Sequence, residues 1–271
     1  MTSKPTFTLV VCHFGDPFWV VNALSSLGKV NLRDFTKILV IDQNRGDQEL
    51  KKQLEDIDNL ELLIFPQYST SNIDHGTSLN LVLKSYSFTS SHIMIIDSDL
   101  IMQNDDWKQS IEHMLIDNDC VLALEPSQFF ITHPCFMVFP SSARFGLDML
   151  EGVYVLRADT GRLIGLQLYQ KGHSSYFLKA EPAFGGLLGY IYPEIGALHV
   201  TSISIRQLES NTRNRSPLKI ELSESWRRWL VFSDARKSNS HVWMQSQKIA
   251  FSCIFLVKYI FIKRVKGRYT S

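Results

Sequence analysis

Cysteine is scarce in this chain, with four in 271 residues. Cys12, Cys120, Cys135 and Cys253 lie far apart, and no C-x-x-C pair occurs. Thiols scattered in this way are expected in a core, not in a disulfide frame or a zinc cage. The start of the chain also lacks a leader pattern: Met1 to Thr8 holds one lysine and no long apolar run ahead of a small-residue cleavage site. A reducing, cytoplasmic compartment is therefore expected. An excess of one charge is missing too, since 28 basic residues stand against 27 acidic ones. The apolar stretch 249–262 would rise about 21 Å as a helix. That is short of the ~30 Å hydrocarbon core of a membrane, and Lys258 interrupts it.

What is present is a globular composition. Hydrophobic residues make up 45% and charged residues 20%, which excludes disordered, collagen-like and coiled-coil chains. The length suits one large α/β domain or two small ones with a sizeable core. Near-neutral total charge hides an asymmetry. Residues 1–200 carry 14 basic and 23 acidic residues, a balance of −9, and residues 201–271 carry 14 and 4, a balance of +10. An acidic body precedes a basic tail.

Strand and helix signals alternate along the body. Residues 7–12 (FTLVVC), 37–42 (KILVID), 60–65 (LELLIF) and 91–97 (SHIMIID) read as strands. Helical patterns fall over 18–27, 47–57 and 76–86. Strands that are nearly continuous in apolar residues and alternate with helices predict a mostly parallel sheet covered on both faces. Ligands of such sheets lie beyond the carboxyl ends of the strands, so acids at two strand ends draw attention. Asp42 follows ILVI, and Asp97 follows IMII with Asp99 two residues on. Asp42 either caps the next turn or binds a ligand. Asp97 and Asp99 either form a solvated acidic turn or converge on one hard divalent ion, Mg²⁺ or Mn²⁺.

The order of these features resembles the family 2 glycosyltransferases. A strand and turn (TLVVCHFGDP) is followed by a strand ending in Asp42 and a polar turn (LVIDQNRGD). A Gly- and Asn-bearing helix start (DHGTSLN, 74–80) and the strand with its D-x-D element (IMIIDSDL, 93–100) come next. Further on stand His133-Pro134-Cys135-Phe136-Met137, Asp159-Thr160-Gly161 and Leu198-His199. The likeness covers residues 6–205 and implies a GT-A, Rossmann-like α/β fold: a mixed, mostly parallel sheet with helices on both faces. It implies a domain over 1–205, and 206–225, polar and broken by Pro217, reads as a linker. Residues 226–271 read as a basic, apolar helical tail.

The resemblance also implies roles. Asp42 would meet the nucleoside of a nucleotide-sugar donor, and Asn80 and the backbone around Gly76 would lie near its diphosphate. Asp97 would contact the donor and, with Asp99 and His199, hold Mn²⁺ or Mg²⁺. An imidazole ligand suits Mn²⁺ better, though His199 between Leu198 and Val200 also reads as a plain strand residue. Asp159 would be the base of an inverting transfer, or else the cap of a following helix, with Asp148 and Glu151 in reserve. His75 and His133 receive no role. The acceptor would be a saccharide or a lipid-linked species.

Trp226-Arg227-Arg228-Trp229 and the Lys263 to Arg268 end fit either an anionic membrane surface or packing on protein. With an acidic body and no binding motif, nucleic acid is not an expected partner. A sugar-nucleotide pyrophosphorylase needs a Gly-rich basic loop after the first strand, and CHFGDP has one glycine and no base. The remaining alternative is a catalytically degenerate relative that binds a partner or a membrane, since the turn after Asp42 reads Gln-Asn-Arg-Gly-Asp where family members carry Asn-Gly-Ser.

Overall fold

The computed structural model describes residues 4–14, 17–43, 46, 48–65, 72–124, 131–156, 160–183 and 189–200. The expected linker and tail, 206–271, lie outside the described residues, as does Asp159. The main sheet has seven strands, β1 (Phe7–His13), β2 (Lys37–Asp42), β3 (Leu60–Ile64), β4 (His92–Asp97), β6 (Cys120–Leu124), β7 (Thr132–Pro140) and β8 (Ser175–Leu178), in the order β3-β2-β1-β4-β7-β6-β8. β1 pairs in parallel with β2 and β4, β2 with β3, and β6 with β8. β7 runs antiparallel to both of its neighbours, β4 and β6. The sheet is thus mixed and mostly parallel, as expected.

Alternation along the strands splits the core in two. On one face Leu9, Val11, Ile38, Val40, Met94 and Ile96 pack with α1 (Pro17–Ser26), α3 (Gln48–Leu54) and α5 (Trp107–Asp117). On the other, Val10, Leu39, Ile41, Ile93 and Ile95 pack with α4 (Asn72–Ser85) and α7 (Ile164–Gln170). Burial on both faces is why these strands read as unbroken apolar runs. β3 at the sheet edge is only half-buried. The short helices α2 (Lys29–Arg33) and α6 (Glu151–Leu156) complete the set.

A second sheet of four short antiparallel strands has the order β5-β11-β10-β9, formed by β5 (Leu100–Met102), β9 (Glu181–Ala183), β10 (Gly189–Tyr192) and β11 (Ala197–His199). It is fastened to the first layer through α1, because Ser26 Oγ accepts the Met102 N–H at 2.9 Å.

Two helix boundaries differ by more than a residue from the sequence reading. α3 ends at Leu54 instead of 57, where an Asp/Asn-rich turn closes with Ile57 N–H on Leu54 O and Leu60 N–H on Ile57 O. α4 begins at Asn72, so Gly76 lies in its second turn and not at its N-terminus. A Cβ on Gly76 would stand 2.4 Å from Leu150 Cδ2, so the glycine is needed for close packing. Among the described residues, no helix is long and apolar enough to cross a membrane.

Candidate active site

β4 delivers Asp97 at the carboxyl edge of the parallel strands, and the chain turns at once through Ser98 and Asp99 into β5. β11 runs antiparallel to β5 with His199 opposite Leu100, and Val200 N–H bonds Asp99 O at 3.1 Å. This pairing brings a residue from a hundred positions along the chain onto the acidic turn. His199 Nε2 lies 3.2 Å from Asp99 Oδ1 and 3.7 Å from Asp97 Oδ2. The entry to β11 is fixed by Gly196, at φ 55°, where any Cβ would strike the Asn104 amide.

One ligand atom from each of Asp97, Asp99 and His199 lies within 4.8 Å of the others. The imidazole is buried, whereas the Asp97 and Asp99 side chains keep 19% and 22% of their surface open. Two carboxylate oxygens at a mouth with a nitrogen behind them suit a divalent cation that keeps part of its coordination for waters or phosphate oxygens. The residues present fit the metal that the sequence led us to expect.

β7 contributes the inner wall. Because it runs against β4, with Ile96 opposite Phe136, its first residues rise at the same edge as Asp97. The His133 ring meets His199 edge to face at 4.8 Å between centroids. Its Nδ1 accepts the Cys135 N–H at 3.2 Å, so the neutral ring carries its proton on Nε2. Burial above all, then His199 and Arg162, pushes the His133 pKa down to about 2. Cys135 Sγ donates to Tyr192 Oη at 3.4 Å, and Tyr192 in turn donates to Leu124 O at 3.3 Å. Cys12, opposite Asp97 in the β1–β4 register, has its thiol pKa raised by burial and then by the Asp97 carboxylate, against a smaller lowering by the Ser78 hydroxyl. Sequence reasoning left His133 and Cys135 without a role, since only the reversed β7 carries them here.

Asp42 ends β2 at the same edge, fully buried. Its Oδ2 accepts the Gly46 N–H at 3.1 Å, so it does close its turn. The registers His13–Asp42 and Cys12–Asp97 put it two strand spacings, about 10 Å, from Asp97. Next to it Gln43 Nε2 donates to Ser78 Oγ on α4 at 3.1 Å, and Ser78 donates to His75 O within the helix.

Asn80 belongs to a different cluster. Its Nδ2 donates to Asp148 Oδ1 at 2.7 Å, and its Oδ1 accepts the Met149 N–H at 2.9 Å. Gln167 of α7 braces the same loop, donating to Asp148 O at 3.0 Å and to Glu151 Oε2 at 2.6 Å. Asp148 and Glu151 are thereby tied to each other through Gln167 of α7, and Asp148 to α4 through Asn80. α7 starts at Ile164 after Leu163, with no side-chain cap, five residues beyond Asp159.

Sheet order, the reversed β7 and the acidic carboxyl edge define an α/β protein of the Rossmann-like GT-A class. No protein-family model matches the chain, and no curated protein matches it in sequence. Among solved structures it is similar to S. aureus TarS 1-349, with 14% identity, a TM-score of 0.47, and 64% of this chain and 58% of that one covered. The chain thus spans a little over half the length of that TarS fragment. It is also similar to the mannosyltransferase PcManGT from Pyrobaculum calidifontis, solved with GDP-Man and Mn²⁺, at 12% identity and a TM-score of 0.48, with 93% and 81% of the chains covered. A third likeness is to a 4-diphosphocytidyl-2C-methyl-D-erythritol synthase from Anaerococcus prevotii, at 11% identity and a TM-score of 0.46, with 78% and 97% covered.

Proposed function

We propose that this chain is a metal-dependent glycosyltransferase that moves a sugar, with inversion, from a nucleotide-diphosphate donor to a saccharide or lipid-linked acceptor. The observation that carries this is the convergence of Asp97, Asp99 and His199 at the carboxyl edge of the parallel strands. Mn²⁺ or Mg²⁺ held by these three residues would offset the negative charge that develops on the departing nucleoside diphosphate.

The donor lies along the edge, with its diphosphate toward Asp97 and its nucleoside toward Asp42. The ~10 Å between the two acids leaves a ribose's length of edge between them. Asn80 serves the donor by holding the 148–150 loop in place beside α4. Asp159 takes the proton from the acceptor hydroxyl as that oxygen attacks the anomeric carbon; its assignment rests on the sequence. The basic, aromatic tail would bring the enzyme to an anionic membrane surface that carries the acceptor.

The test is release of nucleoside diphosphate from UDP-, GDP-, CDP- and dTDP-sugars, with Mn²⁺ and a mixed saccharide and lipid acceptor pool. Turnover with one donor class is expected, abolished by Asp99→Ala. Asp159→Asn should keep donor binding and lose turnover. Full activity in Asp99→Ala would overturn the metal assignment. No turnover with any donor would favour the partner-binding alternative.

A further inference from the structure

We propose that His133, Cys135 and His199 form a second cation site, one for a soft or borderline divalent ion of the Zn²⁺ kind, sharing His199 with the acidic pair. One ligand atom from each of the three lies within 4.8 Å of the others. All three residues are buried, at 7%, 0% and 5% exposure. Nitrogen, nitrogen and sulfur are the donor set that Zn²⁺ prefers, and three protein ligands leave one tetrahedral position open. Around one Zn²⁺ the ligand atoms stand roughly 3.3–3.8 Å apart, so atoms now within 4.8 Å of one another have at most about 1–1.5 Å to close. Asp99 Oδ1, already 3.2 Å from His199 Nε2, is at hand for the fourth position, and the partly exposed Asp97 and Asp99 carboxylates give the ion a route in.

The site discriminates by chemistry. Mg²⁺ prefers six oxygens and retains waters, and the inner pocket offers two imidazoles and a thiol. As the ion binds, the Cys135 thiol loses its proton to solvent and a metal–sulfur bond forms, with no change of oxidation state. The Tyr192 hydroxyl, which accepts from the thiol at 3.4 Å, can turn to donate to the thiolate and hold it in place. His133 exchanges its bond from the Cys135 N–H for the metal. Since His199 belongs to both sets, an ion in the inner site takes His199, with Asp99 beside it, into its own coordination and leaves the outer set incomplete. Zn²⁺ is then an inhibitor of Mn²⁺-dependent nucleotide binding, a consequence that rests on the donor-site reading.

The experiment is a Co²⁺ titration of the full chain, reduced and metal-free, followed by the thiolate-to-cobalt charge-transfer absorption in the near ultraviolet. We expect the band in the wild type, its stoichiometric loss on adding Zn²⁺, its absence in Cys135→Ser and its retention in Asp99→Asn. His133→Gln should weaken Zn²⁺ binding by about tenfold or more, and supplies the test if Cys135→Ser fails to fold. No band in the wild type would overturn the proposal. So would a band that survives both Cys135→Ser and His133→Gln, or one lost in Asp99→Asn and kept in Cys135→Ser. A Cys135-dependent band in a protein that binds no nucleotide with Mn²⁺ would uphold this site and refute the donor reading.

Discussion

Asp97 and Asp99 face solvent in part, and their carboxylates lean on one buried imidazole. Removing either acid takes nothing out of the apolar core, so Asp99→Ala should change unfolding free energy by no more than about 1 kcal/mol. Its effect should fall on ligands: the rise in melting temperature given by a nucleotide with Mn²⁺ is expected to vanish. Asp42 is the contrasting case. It is fully buried and holds the Gly46 N–H, so Asp42→Ala should cost about 1–3 kcal/mol by denaturant unfolding. Asp42→Asn keeps an acceptor for that N–H and should recover most of the loss while still weakening nucleotide binding. If Asn and Ala destabilise equally, the charge itself holds the turn, and the binding role must be judged from affinity alone.

α4 shows how one element ties the sheet to the site. Gly76 lets it touch Leu150, and Asn80 grips Asp148 and Met149 four residues further along the same face. A methyl at 76 has to push Leu150 away, so Gly76→Ala is expected to cost about 1–3 kcal/mol. Leu150→Ala in the same chain should return part of that loss, a coupling readable in a double-mutant cycle; strict additivity would show that the helix shifts as a body. The same element marks the limit of what sequence reveals. β1, β2 and β4 were legible because burial on both faces leaves long apolar runs. The start of α4 was not, because the glycine that resembles a helix start is there for packing against Leu150. β7 was not among the expected strands, and nothing in THPCFMVFP encodes its direction, which is what carries His133 and Cys135 to the site. β5, β9 and β11 are three residues each, too short to show a period, although the pairing of β5 with β11 is what brings His199 over Asp99. The D-x-D pair and the late histidine could thus be named from the chain, and their meeting was implied by the family resemblance and not by any pattern in the residues themselves.

At the scale of the whole molecule, the acidic edge has to compensate for gathering Asp42, Asp97 and Asp99 on one rim of a body that carries −9 over residues 1–200. An anionic nucleotide would be repelled from that rim unless a cation came with it, so nucleotide and metal should bind as a coupled pair and each should raise the affinity of the other by the same factor. Thermal unfolding of the intact chain against UDP, GDP, CDP and dTDP, each with and without Mn²⁺, reads this coupling directly. A ligand present at a hundred times its dissociation constant adds about 2.7 kcal/mol of stability, or roughly 5–10 °C in a domain of this size. One nucleotide should give that rise with Mn²⁺ and almost none without it, and that nucleotide names the donor class. A rise independent of metal would mean that cations of the protein, such as the 14 basic residues beyond 200, neutralise the diphosphate instead. Deleting residues 206–271 then separates the cases: metal-coupled binding survives the truncation, and tail-dependent binding is lost with it.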